Sequence, residues 1–255
     1  MEPSWIDTHF RALDKGDPLS RAMGWAREET RERPVVLDGD RPYGILDTRT
    51  LMSRSRPPNM HIHKLAMPVP CLQHDASEAE VLATFTATLA PYLPVVDGRG
   101  LLCGVVTAAT ASQAVPPDVP IAAAVQDIPT LAPSDALEVA AHHFGATTAN
   151  RLPILENRVI VGALARATLH RAYDRAQMSA GKRDFGGESV DVLDETVAGY
   201  SEASWAAAPV DDADAVRACV AANGYALVTR GKLYAGYVDP NFLIRAAHAA
   251  VTARV

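Results

Sequence analysis

Cysteine is scarce in this sequence of 255 residues, and the features that the chain lacks exclude several classes of protein. The three cysteines lie far apart and form no C-x-x-C pair, so neither a disulfide framework nor a cysteine-rich zinc site is expected. The sequence also has no apolar run of about 18 residues, which a membrane-spanning helix requires. We expect no membrane span, and we expect Cys71, Cys103 and Cys219 to be buried, reduced thiols.

Basic residues are not in excess either. The chain carries 24 lysine and arginine residues against 30 aspartate and glutamate residues, a net charge of −6, whereas nucleic-acid-binding proteins concentrate basic charge. The segment from Met1 to Arg11 contains acidic residues and no apolar run, so it does not predict a secretory signal. These features predict a cytoplasmic protein with no nucleic-acid partner and no membrane partner.

Short motifs that mark catalytic sites are missing as well. Walker loops and the G-x-G-x-x-G, G-x-S-x-G and H-E-x-x-H motifs do not occur. His61 and His63 can share a face of an extended segment, but no acidic or cysteine ligand lies close to them in sequence. We therefore expect a polar linker there rather than a metal site. The sequence predicts no catalytic residues, no metal and no enzymatic activity.

A fourfold internal repeat organises the chain. Each copy has an apolar segment, a short turn and a second apolar segment that contains a glycine. These glycines, separated by 60, 58 and 74 residues, are Gly44, Gly104, Gly162 and Gly236. The turns use residue types that tolerate positive φ, namely Gly39, Gly98, Asn157 and Gly231. The pattern predicts four β-hairpins.

A helix is predicted before each hairpin and a short helix after it. Apolar residues recur at helical spacing before the hairpins, as in copy two at Val81, Leu82, Phe85 and Leu89. The predicted caps of these helices are Asp17, Asp75 with Glu78, Asp135 with Glu138, and Asp211 or Asp212. Short strands are predicted ahead of three of the helices, at 69–72, 128–131 and 206–210. Each copy is thus a βαββα unit of α+β class, too small to bury its helices alone.

This repeat resembles the CBS domain family over nearly the whole chain. Copy two carries the best match, from Val69-Pro-Cys-Leu-Gln-His-Asp-Ala-Ser-Glu-Ala through Leu93-Pro-Val-Val-Asp-Gly to Gly104-Val-Val-Thr107, and copy three, Ile128 to Thr168, is nearly as good. The resemblance implies four CBS motifs paired into two Bateman modules. Motifs one and two occupy 1–115, and motifs three and four occupy 121–255 with an insertion at 173–204. We expect the insertion to be a surface linker rather than a lid.

The resemblance also implies where a ligand binds. In the family, a hydroxyl residue after the hairpin binds phosphate at a helix N-terminus, and an aspartate three residues later binds ribose. Here the hydroxyl position holds Asp47, Thr107, Ala165 and Asp239, and the aspartate position holds Thr50, Thr110, Thr168 and Phe242. With Arg166 and Thr130 added, the candidate ligand-binding residues are Thr107, Thr110, Asp47, Thr50, Arg166, Thr168, Asp239 and Thr130.

Two of the implied clefts are the more ligand-like. Only Thr107 keeps the hydroxyl, so the cleft of copy two is predicted to be the better phosphate site. The cleft with Arg166 and Thr168 offers a positive charge but lacks the hydroxyl, whereas Asp47 and Asp239 would repel a phosphate. The competing interpretation is that these threonines cap helices and that the arginines are solvated.

The function implied is non-catalytic regulation. A protein of this family senses an adenosine-type nucleotide or related small ligand, such as AMP, ATP or another adenosine derivative, in clefts between CBS motifs. The alternative is an interaction or scaffold protein with ligand-free, degenerate clefts that regulates a partner by binding it. The degraded motifs favour the scaffold, while the intact architecture permits the sensor. A regulated protein partner and a homodimer both stay open.

Overall fold

Four β-hairpins carry the fold, one in each copy of the repeat. The structure is a computed structural model that describes residues 5–22, 33–47, 59–172, 192–202 and 204–252. The hairpin strands are β2 (Pro34–Asp38) with β3 (Arg41–Ile45), β5 (Tyr92–Val96) with β6 (Leu102–Thr107), β7 (Arg151–Glu156) with β8 (Val159–Ala165), and β10 (Ala226–Arg230) with β11 (Leu233–Val238). All four pairs are antiparallel, and in each the register shifts at a bulge. The predicted hairpins are confirmed, and the shared bulge repeats a geometry that the sequence does not reveal.

Short strands run parallel to the first strands of the hairpins. β4 (Leu72–Gln73) pairs with β5, and β9 (Ala207–Pro209) pairs with β10, as predicted. Copy three has a single parallel bridge, between Leu131 and Ile154. β1 (Arg11–Asp14) pairs with β2 and was not predictable from periodicity, because only Leu13 of its four residues is buried. The resulting sheet orders are β1-β2-β3, β4-β5-β6 and β7-β8-β11-β10-β9.

Helices precede or follow the hairpins as the repeat predicts. They are α1 (Glu78–Thr88), α2 (Ala108–Ala111), α3 (Leu137–Gly145), α4 (Ala213–Asn223) and α5 (Pro240–Thr252), and residues 19–22 and 166–172 are also helical. Most described residues of the predicted apolar faces are buried, with Phe85, Phe144 and Val216 among the core residues, whereas Leu82 and Leu89 are half-buried. Within the described part of the chain, no helix is both long and apolar enough to cross a membrane.

The helix caps are only partly as predicted. The N-cap of α1 is Ser77, two residues later than the predicted Asp75, and Ser77 forms a capping box with Glu80. The predicted capping roles of Asp75 and Glu78 are therefore wrong. α3 has no side-chain cap, since the Asp135 carboxylate accepts the backbone N–H of Ala132 instead. The prediction for α4 is confirmed, because Asp212 accepts the N–H of Ala215.

The expectation of buried cysteines is wrong. Cys103 is exposed, Cys71 and Cys219 are half-buried, and none of the three forms a disulfide. Cys103 lies near the turn end of β6, where the strand leaves the core and alternate residues face solvent. Partial burial raises the pKa of the Cys71 thiol above its usual value.

Contacts divide the chain into two units. Unit one comprises residues 1–124 together with 239–255, and unit two comprises residues 125–238. The hairpins of copies one and two lie in unit one, and those of copies three and four lie in unit two. Helix α5 packs against α1 and α2 within unit one, although it follows the hairpin of copy four in sequence. The division into Bateman modules at 1–115 and 121–255 stays a prediction.

A short leader segment before each copy pairs with the hairpin of the neighbouring copy. We define the leader segments as residues 6–7, 66–67, 125–126 and 201–202. In unit one, Asp7 bridges to Val105 of copy two and Met67 bridges to Ile45 of copy one. In unit two, Gln126 bridges to Tyr237 of copy four. The backbone N–H of Glu202 completes the set by donating to the carbonyl of Ala163 in copy three, 2.8 Å away.

This exchange of leader segments explains the glycine repeat. Each repeat glycine lies where a leader segment crosses the second hairpin strand, and a Cβ there would collide with it. A Cβ on Gly44 would lie 2.6 Å from the carbonyl oxygen of Met67, and one on Gly236 would lie 2.9 Å from that of Gln126. A Cβ on Gly104 would meet Ile6, and one on Gly162 would meet Ser201. The glycines are therefore needed for close backbone approach between the paired copies.

Candidate ligand-binding site

The residues at the predicted hydroxyl positions are largely occupied in capping helices. Thr107 is 8% exposed, and its hydroxyl accepts the backbone N–H of Thr110 and bonds the Thr110 hydroxyl, 2.9 Å away. Asp239 is also 8% exposed, and its carboxylate accepts the N–H of Phe242 in the first turn of α5. Asp47 is buried, and Thr50 lies outside the described residues. These contacts match the capping interpretation for Thr107 and Asp239, whereas Thr110 lies inside α2 and is itself the residue that Thr107 caps.

Arg166 has a structural environment that its sequence position does not indicate. Its guanidinium lies over the ring of Phe144, 4.6 Å from the centroid, and donates to the carbonyls of Phe144, Thr147 and Ala149. The residue is only 7% exposed. These carbonyls close the C-terminal end of α3, where a cation is favourable. The positive charge is thus directed at the protein backbone, and its predicted role toward a phosphate stays a prediction without a geometric basis.

A pocket opens in unit two beside Thr168, the residue that holds the aspartate position of copy three. Its volume is about 520 Å³. One wall comes from Thr168 and Arg171 on the helical residues 166–172. The other lining residues are Glu195 and residues 199–202, which include the leader segment of copy four. Arg171 is exposed and donates to the Thr168 hydroxyl over 2.9 Å. The pocket therefore presents a cation and a hydroxyl together.

Residues 195–202 are held firmly against copy three. The backbone N–H of Val197 donates to the backbone carbonyl of Asp135, and that of Leu137 donates to the backbone carbonyl of Glu195. Val197 is fully buried, and Glu202 is joined to Ala163 as described above. This end of the predicted 173–204 insertion is therefore part of the packed unit; residues 173–191 and 203 lie outside the described part of the chain.

Two carboxylates line the same pocket, and each has one oxygen engaged. Glu202 accepts a charge-assisted hydrogen bond from Arg151 Nε, 2.8 Å from its Oε2, and the Arg151 guanidinium lies 5.4 Å from the centroid of the Tyr225 ring. Glu195 accepts a hydrogen bond from the Tyr200 hydroxyl, 2.5 Å from its Oε2. Among its described lining residues, the pocket thus combines one cation, Arg171, which suits a phosphate, with two oriented carboxylate acceptors, which suit hydroxyl groups.

Sequence reasoning located part of this site. Thr168 lies in the pocket as a candidate, whereas Thr130, half-buried in the segment before α3, is not among the pocket-lining residues. Arg171 was missed, although its spacing of three residues from Thr168 puts it on the same helix face. Glu195, Tyr200 and Glu202 were missed because they fall in a segment without periodicity, which sequence patterns cannot place in space.

Comparison with known proteins identifies the class of fold. No protein-family model and no curated protein matches the chain. A Methanocaldococcus jannaschii protein, described as a putative archaeal homologue of γ-AMPK, superposes with a TM-score of 0.74 at 15% identity, covering 92% of this chain and 95% of that one. An uncharacterized conserved protein from Pyrococcus horikoshii superposes with a TM-score of 0.60 at 15% identity, covering 84% and 90%.

A third similarity covers about half of the chain. A CBS domain pair/ACT domain protein from Thermotoga maritima covers 45% of this chain and 95% of that one, with a TM-score of 0.38 at 19% identity. The full-length similarities establish the fold: the chain has the α+β fold of CBS-domain proteins, which the fourfold repeat predicts.

Proposed function

We propose that this chain is a regulatory protein that senses an adenosine-type nucleotide or a related small ligand in the pocket of unit two. The observation that carries the proposal is the position of that pocket. It opens at Thr168, where the CBS resemblance implies that a ligand's ribose lies, and it contains a cation, Arg171, within reach of the same hydroxyl. The likeness to a putative γ-AMPK homologue supports a regulatory role.

This pocket is a better candidate for the phosphate site than the cleft of copy two. The Thr107 and Thr110 hydroxyls are hydrogen-bonded to each other, and the Thr107 hydroxyl also caps α2. With four residues, α2 is too short to develop a strong dipole. Arg171 is an exposed residue that brings a positive charge to the lining of the pocket in unit two. A phosphate beside it gains a charge-assisted hydrogen bond, which is stronger than one from a neutral donor.

The scaffold alternative has its own support. Asp239 caps a helix, Arg166 is directed at the backbone, and no copy keeps the ribose-binding aspartate. A chain whose residues at the implied ligand positions only cap helices or contact the backbone would regulate a protein partner through its surface. The two functions differ in one measurable property, which is whether unit two gains stability from a small ligand.

Calorimetric titration and thermal unfolding with AMP, ADP, ATP and adenosine test the proposal. A ligand at 100 times its dissociation constant stabilises the protein by about 2.7 kcal/mol. We expect Arg171→Gln to weaken AMP binding about tenfold, equivalent to about 1.4 kcal/mol, because a hydrogen bond to a charged group is lost. The same variant should leave adenosine binding unchanged, since adenosine has no phosphate.

Two control variants locate the site. Arg99→Gln removes an exposed arginine from the hairpin turn of copy two and should leave AMP binding as in the wild type. Thr107→Val should also leave it unchanged. A tenfold loss in Thr107→Val, with none in Arg171→Gln, would move the site to copy two. No binding of any compound would leave the scaffold function.

A further inference from the structure

The ribose-binding aspartate is absent from every copy, yet a carboxylate lines the pocket of copy three. At the aspartate position copy three has Thr168, whose neutral hydroxyl cannot accept two short hydrogen bonds as a carboxylate does. Glu202 lines the same pocket but comes from the leader segment of copy four. The leader segment pairs with β8, and β8 runs directly into the helical residues that carry Thr168. Glu202 and Thr168 therefore line the same pocket.

We propose that Glu202 binds the vicinal 2′,3′-hydroxyls of a nucleoside in this pocket, in place of the missing aspartate. The inference rests on the proposed function, because it takes the ligand to be an adenosine-type compound. It assigns the ribose contact to a residue that the paired copy supplies. The pocket then selects ligands with an intact ribose over their deoxy counterparts.

The backbone of Glu202 is fixed at a defined place. Its N–H donates to the Ala163 carbonyl over 2.8 Å, and the preceding residue, Ser201, occupies the space left by Gly162. Ala163 lies two residues before the end of β8. The Glu202 main chain therefore cannot move away from the pocket without breaking the pairing of the leader segment.

The side chain is also fixed, and it leaves one oxygen for a ligand. Arg151 Nε binds Glu202 Oε2, and both side chains are about three-quarters buried, at 27% and 26% exposed. Arg151 is in turn positioned by its contact with the Tyr225 ring. Within the described part of the chain, no hydrogen bond reaches Glu202 Oε1. That oxygen keeps two acceptor sites, which match the two hydroxyls of a vicinal diol.

Glu195 is the matched alternative in the same wall. Its carboxylate is held by the neutral Tyr200 hydroxyl rather than by a cation, and its chain is joined to α3 rather than to β8. Glu202 is therefore the carboxylate that is anchored to the strand leading into the Thr168 helix. The two residues have the same side chain and line the same pocket, so each serves as the control for the other.

A cycle of protein and ligand changes tests the assignment. Calorimetry measures adenosine and 2′-deoxyadenosine binding to the wild type, Glu202→Gln and Glu195→Gln. We expect the wild type to bind 2′-deoxyadenosine about tenfold more weakly than adenosine, because one hydrogen bond to a charged group is lost. Glu202→Gln should weaken adenosine binding about tenfold and should discriminate the two ligands less than threefold. Glu195→Gln should keep the tenfold discrimination.

The outcomes separate this inference from the proposed function. Adenosine binding by the wild type with equal affinity for the deoxy compound overturns the inference, as does retained discrimination in Glu202→Gln or its loss in Glu195→Gln. Failure of the wild type to bind adenosine and each of AMP, ADP and ATP overturns the proposed function instead. Thermal unfolding of both variants checks that the fold is intact, so that a weakened affinity reports the site.

Discussion

Single residues decide how the copies fit together, and the repeat glycines are the clearest case. Sequence comparison of the copies reveals that a glycine recurs in each second hairpin strand, and turn chemistry accounts for Gly39 and Gly231, whose φ angles are 62° and 61°. It does not account for Gly44, which lies in a strand. The reason is a crossing leader segment from the neighbouring copy, a contact between residues distant in sequence that no local pattern encodes.

Replacing Gly44 by alanine should destabilise unit one. The added Cβ would lie 2.6 Å from the backbone oxygen of Met67, so the leader segment must shift rather than a side chain rotate. Overpacking of this kind costs about 1–3 kcal/mol. Chemical denaturation measures the change, with Gly98→Ala as the control, because a Cβ at Gly98 meets nothing within 4 Å. Equal stability of the two variants would contradict the role given to the leader segment.

At the scale of elements, local signals predicted which segments are helical better than they predicted where helices begin. Apolar spacing placed α1, α3 and α4, since a buried stripe follows from helical periodicity alone. Two candidate caps, Asp75 and Ser77, lie before α1, and each has a glutamate three residues later, so the sequence does not decide which of them caps the helix. Strand β1 could not be predicted from apolar spacing, because only Leu13 of its residues is buried and the strand is stabilised by pairing with β2.

Removing the cap of α1 provides a test at this scale. Ser77→Ala should destabilise the protein by about 1 kcal/mol, because Ser77 accepts the N–H of Glu80, whereas Asp75→Ala should have little effect. The measurement is chemical denaturation at neutral pH. A larger loss in Asp75→Ala than in Ser77→Ala would restore the cap that the sequence suggested.

The same capping box makes a pH-dependent contribution. Hydrogen bonds from the Ser77 backbone N–H and hydroxyl hold the pKa of Glu80 below its usual value of 4.5. A group whose pKa is lowered on folding stabilises the folded state above its unfolded pKa and loses that contribution as the pH falls through its folded pKa. The difference in stability between the wild type and Ser77→Ala should therefore shrink below about pH 4.

On the scale of the whole molecule, the repeat predicted the fold, whereas only Thr168 of the candidate site could be predicted from the sequence. The four hairpins recur at regular spacing, so comparing the copies in the sequence reveals them. The pocket combines the helical residues 166–172 of copy three with the leader segment of copy four, and the repeat does not predict that these segments meet. Arg166 and Arg171 illustrate the limit. Both are arginines near Thr168, but packing turns one toward backbone carbonyls and leaves the other at the pocket.

Hydrogen exchange of the full chain with and without AMP tests the central claim most directly, because it reports where a ligand binds without any substitution. The account predicts that AMP slows exchange in peptides covering residues 166–172 and 195–202 of unit two. It predicts no slowing in peptides covering 102–115, which contain Thr107 and Thr110. Slowing confined to 102–115, or an absence of slowing under conditions in which calorimetry detects binding, would contradict the assignment of the site to this pocket.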